Sequence, residues 1–273
     1  MSQGFMEQLF QRGQGNFPSF PDKKLAISFA DQLFAFLFTP RRDSIEQLLA
    51  IYEGLRDIFS SLVFDVLKDE VIAKQQAVVF FDAIPDIYQW LLKDAAAIVE
   101  FDPAAESIEE VLVAYPGFFA TAIYRFAHQL HTQQLHTLPR LFSEYAHSRT
   151  GIDIHPGAQI GTSFFIDHGT GIVIGGTAVI GNHVKIYHGV TLGALNVAKE
   201  LAHKKRHPTI EDNVIIYSGA TILGGNTTVG NHSVIGGNVW LTHSVEPHSI
   251  VYHKSEVVVR DKNPLPEPLN FVI

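Results

Sequence analysis

The chain has 273 residues, 46% of them apolar and 18% charged, so it can bury a sizeable core and is not disordered overall. Its formal net charge of −8 excludes binding of nucleic acid through bulk charge, though a local basic cluster could still take an anion. The lack of cysteine removes disulfides, thiolate zinc sites and cysteine nucleophiles together.

The first 21 residues are polar and broken by glycine and proline, with no basic segment leading into an apolar run. The most apolar early stretch, Leu25 to Phe38, is too short to span a bilayer. A cytoplasmic protein is the expectation. Residues 22–149 read as helices. Phe29, Leu33, Phe36 and Leu37 recur at helical spacing until Pro40 stops the segment. Asp43 and Ser44 then supply capping residues ahead of Ile45, Leu48, Leu49, Tyr52 and Leu55. Separate stripes follow at 71–81, 87–99, 108–115 and 118–131, and their Phe and Leu residues are read as core.

From Gly151 the pattern changes. Ile154, Ile160, Ile166, Ile172, Ala178, Val184 and Val190 fall at a spacing of six. After a polar excursion the spacing resumes at Ile210, Ile216, Ile222, Val229, Ile235 and Leu241. The one step of seven, from Ile222 to Val229, predicts an extra residue at the Gly224-Gly225-Asn226 corner. No amphipathic helix has this period. It fits a parallel β-helix in which each hexad is a short strand plus a corner and three hexads complete a turn of 18 residues. The expected organisation is α+β, with an all-α domain at 1–150, a β-helix at 151–250 with a loop at 194–209, and an extended proline-rich tail at 251–273.

The loop concentrates Lys199, Lys204, Lys205 and Arg206, an expected home for a carboxylate or phosphate. Of the 14 histidines, three stand in suggestive company: Asp153-Ile154-His155-Pro156, Asp167-His168-Gly169-Thr170-Gly171 and Arg206-His207-Pro208. Asp153 and His168 are 15 residues apart, placing them on stacked hexads of one side. A carboxylate there would fix the imidazole tautomer and raise its basicity, as a general base for a hydroxyl requires. Small residues two places beyond strand anchors, Ser218 and Gly237, would stack and floor a groove along the coil. His183 and His188, five apart, are a candidate pair of metal ligands.

These hexads resemble those of the hexapeptide-repeat acyltransferases, which implies a left-handed coil and trimers. The order Asp153-Ile-His-Pro, Ile166-Asp-His-Gly-Thr-Gly, Val190-Thr-Leu-Gly and Arg206-His-Pro after a helical domain resembles the serine O-acetyltransferase family over about residues 100–245. The resemblance implies acetyl-CoA as co-substrate with no metal, L-serine as acceptor and His168 as general base, oriented by Asp153. It further implies that Asp102 and Asp167 take the serine ammonium, Arg206 and His207 of a neighbouring subunit take the carboxylate, and Gly193, Ser218 and Gly237 line the CoA groove. By the same resemblance the chain forms a homotrimer or a dimer of trimers, and Ile273 docks into O-acetylserine sulfhydrylase. The sequence departs from the family at Gly193-Ala194-Leu195 and at Val251 to Glu256, around the expected adenine end of the CoA site, where Lys254 and Arg260 stand as candidate phosphate contacts. The alternatives are a related acetyltransferase acting on a sugar or amine and, from another class, a γ-carbonic-anhydrase-like hydratase using His183 and His188.

Overall fold

The computed structural model describes residues 3–14, 20–195 and 204–254. Lys199, Arg260 and the tail beyond Lys254, with Ile273, lie outside the described residues.

Among the described residues seven helices come first: α1 (Gln3–Gln14), α2 (Lys23–Phe38), α3 (Ile45–Leu67), α4 (Glu70–Phe101), α5 (Ile108–Ala114), α6 (Pro116–Thr132) and α7 (Leu138–Thr150). Ser44 caps α3 as its sequence suggests. Its hydroxyl accepts the Gln47 N–H while the Gln47 side chain accepts the Ser44 N–H, satisfying two donors that a helix start otherwise leaves unpaired. The two expected stripes at 71–81 and 87–99 are in fact one helix of 32 residues, α4, with Pro85 inside it. Proline has no N–H for the carbonyl four residues back, and an orphaned buried carbonyl is costly. That carbonyl belongs to Phe81, and the Tyr52 hydroxyl of α3 donates to it at 2.9 Å. A tertiary contact thus repairs what the local rule forbids. Phe29 of α2 sits at the middle of the helical core, its ring 5.3 Å from Phe59, 6.2 Å from Phe80 and 6.1 Å from Phe142. No described helix is long and apolar enough to cross a membrane.

Gly151 ends α7 in the left-handed region, φ 72°, and the chain turns at once into the coil. Fourteen short strands follow among the described residues: β1 (Asp153–Ile154), β2 (Gln159–Ile160), β3 (Phe165–Asp167), β4 (Val173–Ile174), β5 (Val179–Ile180), β6 (Lys185–Tyr187), β7 (Thr191–Gly193), β8 (Thr209–Ile210), β9 (Ile215–Ile216), β10 (Thr221–Leu223), β11 (Thr228–Val229), β12 (Val234–Ile235), β13 (Trp240–Leu241) and β14 (Ile250–Val251). Every third strand pairs in parallel, except that β12 pairs with β14. The first sheet stacks β1-β4-β7-β10-β13, the second β2-β5-β8-β11 and the third β3-β6-β9-β12-β14. This is a β-helix of about five turns, filled by aliphatic columns such as Ile154, Ile174, Leu192 and Ile222.

The spacing of six conceals a change of phase. Asp153 pairs with Val173, twenty residues on, whereas Val173 pairs with Thr191, eighteen on. The corner between β3 and β4 therefore holds two extra residues. Beyond it the strand anchors are Ile174, Ile180, Ile186 and Leu192. Ile172, Ala178, Val184 and Val190 point inward and are buried, as expected, but they occupy the position two residues ahead of each anchor. The enlarged corner is Asp167 to Gly171, the segment that carries His168. The second irregularity falls where the step of seven places it: Gly224 adopts φ 104°, and Thr221 pairs with Trp240 nineteen residues on.

Helix α6 joins the two halves. Phe118 and Phe126 face the helical core, while Ala120 and Tyr124 face the coil. A Cβ on Gly117 would stand 2.8 Å from the Ile166 carbonyl oxygen, so glycine lets α6 lie directly on β3.

Candidate active site

The C-terminal end of α4, the start of α6 and the enlarged β3–β4 corner enclose a cavity of about 710 Å³, lined by Asp102, Tyr115, Gly117, Asp167, His168 and Thr170 among others. His168 sits in the left-handed region at φ 56°, followed by Gly169 at φ 85° and Gly171 at φ 81°. That backbone lifts the imidazole off the coil, leaving its side chain 74% exposed. Its Nε2 lies 3.8 Å from the Asp167 carboxylate, and its ring meets His188 of the next turn edge-on at 5.7 Å.

Asp102 is fixed as the cap residue that ends α4. One oxygen accepts the Ala104 N–H at 2.8 Å and the other accepts the Tyr115 hydroxyl at 2.9 Å. Burial, with the bond to Asp102 adding to it, pushes the Tyr115 phenol up to about 12, so it stays a donor at neutral pH. Asp102, Asp167 and His168 thus converge on one cavity with two carboxylates beside one imidazole. This is a pole for a cationic group next to a proton acceptor.

Asp153 lies on β1, one turn below Val173. Its charge acts on His155, and among the described residues neither a hydrogen bond nor an ion pair joins it to His168.

Arg206 and His207 occupy a different edge. His168 lies where the third sheet passes to the first, whereas Arg206 and His207 precede β8, where the first passes to the second. There a cavity of about 530 Å³ is lined by Lys204, Lys205, Arg206, Asn226 and His243 among others. Arg206 Nε is enclosed and makes no hydrogen bond among the described residues, which leaves a cationic donor without a described partner. Thr177 holds this end of the loop. Its hydroxyl oxygen accepts the N–H groups of Arg206 at 2.9 Å and His207 at 3.1 Å. The Thr177 N–H donates to His207 Nδ1 at 3.1 Å, so Nδ1 is an acceptor and the ring proton sits on Nε2. Burial, then the Arg206 charge, pushes His207 down to about 4, so the ring is neutral at physiological pH. The ring lies over Gly175, where any side chain would collide with it. Lys205 Nζ completes the clamp by donating to the carbonyls of Thr177 at 3.0 Å and His207 at 2.7 Å.

Gly193 ends β7 on this same edge, and a Cβ there would stand 2.8 Å from Leu223. Ser218 and Gly237 stack on the His168 edge instead. The Ser218 carbonyl accepts the Asn238 N–H at 2.9 Å, and a Cβ on Gly237 would stand 3.3 Å from the same oxygen. His188, Ser218 and Gly237 therefore climb the edge above His168 in register, with side chains of decreasing size. His183 and His188 lie at opposite ends of β6. Tyr115 and Thr177 carry no sequence signal that singles them out, because each acts through a contact across turns or between helices.

No family model matches the chain. The serine acetyltransferase of Bacillus subtilis (strain 168) is 42% identical over 192 residues, covering 67% of this chain and 86% of that protein. A plasmid-borne serine acetyltransferase of Synechococcus elongatus is 51% identical over 189 residues, and this match spans 67% of the chain but 58% of the relative. Among solved structures, serine acetyltransferase isoform 3 of Entamoeba histolytica in complex with cysteine superposes with a TM-score of 0.78 at 33% identity, covering 94% of each chain. Soybean serine acetyltransferase complexed with serine superposes at 0.59 and 30% identity, over 84% of this chain and 97% of that one. Sequence identity and superposition agree, and the chain belongs to the serine acetyltransferase family.

Proposed function

We propose that the protein transfers the acetyl group of acetyl-CoA to the hydroxyl of L-serine, giving O-acetylserine and CoA for cysteine biosynthesis in the cytoplasm. The observation that carries this reading is the convergence of Asp102, Asp167 and His168 on one cavity. A free amino acid bears an ammonium and a carboxylate, and a site with anionic and cationic poles both selects and orients it. Asp102 and Asp167 take the ammonium. His168 removes the hydroxyl proton as the serine oxygen attacks the thioester carbon. The tetrahedral adduct collapses with loss of the thiolate, which takes up that proton as CoA leaves. Asp153 is assigned to orient His168. Ser218 and Gly237 floor the groove along which the pantetheine arm runs, with Gly193 lining it from the facing edge.

The separation of the two edges supports an assembly. Arg206 and His207 lie away from the His168 cavity of their own chain, so the carboxylate pole comes from a second copy in a homotrimer, or in a dimer of trimers. Docking of Ile273 into O-acetylserine sulfhydrylase is part of the same proposal. A CoA-release assay over serine, threonine, homoserine and aminosugars tests the activity. Serine is expected to be turned over best, and a preference for an aminosugar would overturn the assignment.

Thr177 supplies a finer check. Thr177→Val removes the acceptor that orders Arg206 and His207 while keeping the shape of the side chain. The KM for serine is expected to rise about tenfold, the worth of one such hydrogen bond to a charged segment, with little change in kcat. Thr177→Ser should restore it, and a fall in kcat at constant KM would contradict this role.

A further inference from the structure

The outward face of the third sheet carries an aromatic ladder with one ring missing. Strand register stacks five positions beside the His168 edge: Asp167 under Tyr187, then Tyr217, Gly236 and Tyr252. Tyr187 and Tyr217 stack at 5.0 Å with their planes 23° apart. The next turn has Gly236 instead of a ring, and the turn above has Tyr252. Gly236 is not in the left-handed region, so backbone conformation does not require glycine there. A Cβ at 236 would stand 3.1 Å from the Val251 carbonyl oxygen and 3.5 Å from the Tyr252 Cβ. The upper face of Tyr217 is consequently open, with 42% of the residue exposed, and Tyr252 is 74% exposed.

Strands in one sheet lie about 4.8 Å apart, so Tyr217 and Tyr252 stand about 9.6 Å apart along the coil with, among the described residues, only Gly236 between them. A flat ring in that place would meet Tyr217 as Tyr187 does from below, within the range of offset stacking. Ser218 and Gly237 immediately follow Tyr217 and Gly236, so the slot opens onto the edge that starts at His168. From the His168 corner to Tyr252 is four turns, about 19 Å. That suits a donor laid out with its thioester at His168 and its purine at the far end of the coil.

We propose that Tyr217, Gly236 and Tyr252 form a stacking slot for the purine of the acyl donor. The slot rests on the acetyl-CoA reading above. It makes the donor's nucleotide end a specificity determinant held by aromatic stacking, at the place where the sequence departs from its family.

The test compares acetyl-CoA with S-acetyl-4′-phosphopantetheine, which carries the same thioester and arm without the nucleoside. The wild-type enzyme is expected to prefer acetyl-CoA. Tyr217→Leu should lower kcat/KM for acetyl-CoA about tenfold or more, chiefly through KM, because base stacking on an aromatic side chain is worth that much. The preference between the two donors should collapse accordingly. Tyr217→Phe keeps the ring and should keep the preference. Tyr252→Leu, at the exposed end of the coil, should reduce it in the same direction without touching the Tyr187 stack. Equal losses on both donors in these variants, or an unaltered preference, would overturn the slot. A wild-type protein that transfers acetyl from neither donor would instead overturn the proposed function.

Discussion

Replacing His168 is expected to lower kcat by a factor of about 10² or more, the usual worth of a positioned general base. Two variants separate chemistry from backbone. His168 occupies the left-handed region, where a residue with a short polar side chain is tolerated and alanine costs about 1 kcal/mol. His168→Asn keeps the corner and has no proton acceptor of comparable basicity, whereas His168→Ala tests the same loss with added backbone strain. Because the imidazole is 74% exposed and outside both cores, neither variant should shift the melting temperature by more than a few degrees. Steady-state kinetics with saturating serine and acetyl-CoA provide the measurement. Both variants should fall together in kcat with the KM for serine nearly constant, since Asp102 and Asp167 remain. Turnover within a few-fold of wild type in the Asn variant would remove His168 from the base's role and, with it, the reading of the enlarged corner.

That corner shows how far a linear pattern reaches. A spacing of six in aliphatic residues announces a coil because no other regular structure has that period, and the extra residue at Gly224 follows from one step of seven. The two-residue insertion at His168 is invisible to the same count. Each hexad has two inward positions, two residues apart, so an insertion of two slides the pattern from one buried column to the other and leaves the period intact. Strand pairing exposes it, through Asp153 facing Val173. The split of α4 into two stripes has a similar origin. Pro85 reads locally as a break, and only Tyr52, from another helix, makes the broken turn tolerable. Motif residues such as Asp102, Asp167 and His168 were legible because their types are chemically distinctive and they recur in a recognisable order. Tyr115 and Thr177 were not, since a tyrosine before proline and a threonine at a corner are ordinary until their partners are known.

The buried pair between Asp94 of α4 and Arg125 of α6 leads to the largest expected effect on stability. The Arg125 side chain is 4% exposed and that of Asp94 1%. The guanidinium donates twice to the carboxylate, through Nε at 2.7 Å and through a terminal nitrogen at 3.0 Å, in the bidentate geometry that suits arginine. The same group donates to the Gly161 carbonyl at 2.7 Å, and Asp94 accepts the Phe164 N–H at 2.9 Å. One ion pair therefore ties two helices to the loop between β2 and β3 on the first turn of the coil. Removing one partner strands the other charge in the interior, so Arg125→Met is expected to cost about 3–5 kcal/mol and to lower the melting temperature by roughly 10 °C or more. Asp94→Leu alone should cost a similar amount. The double variant should cost less than the sum of the two, because it leaves no uncompensated charge, although the Gly161 carbonyl and Phe164 N–H still lose their partners. Denaturant unfolding of the four proteins gives the coupling directly, and strict additivity would mean that the pair does not act as a unit. The same contact positions chemistry. Asp102 ends the helix that carries Asp94, while His168 lies just beyond the strand that follows Phe164. At temperatures where Arg125→Met is still folded, its KM for serine should therefore rise before its kcat falls, as the helix end drifts from the corner it faces.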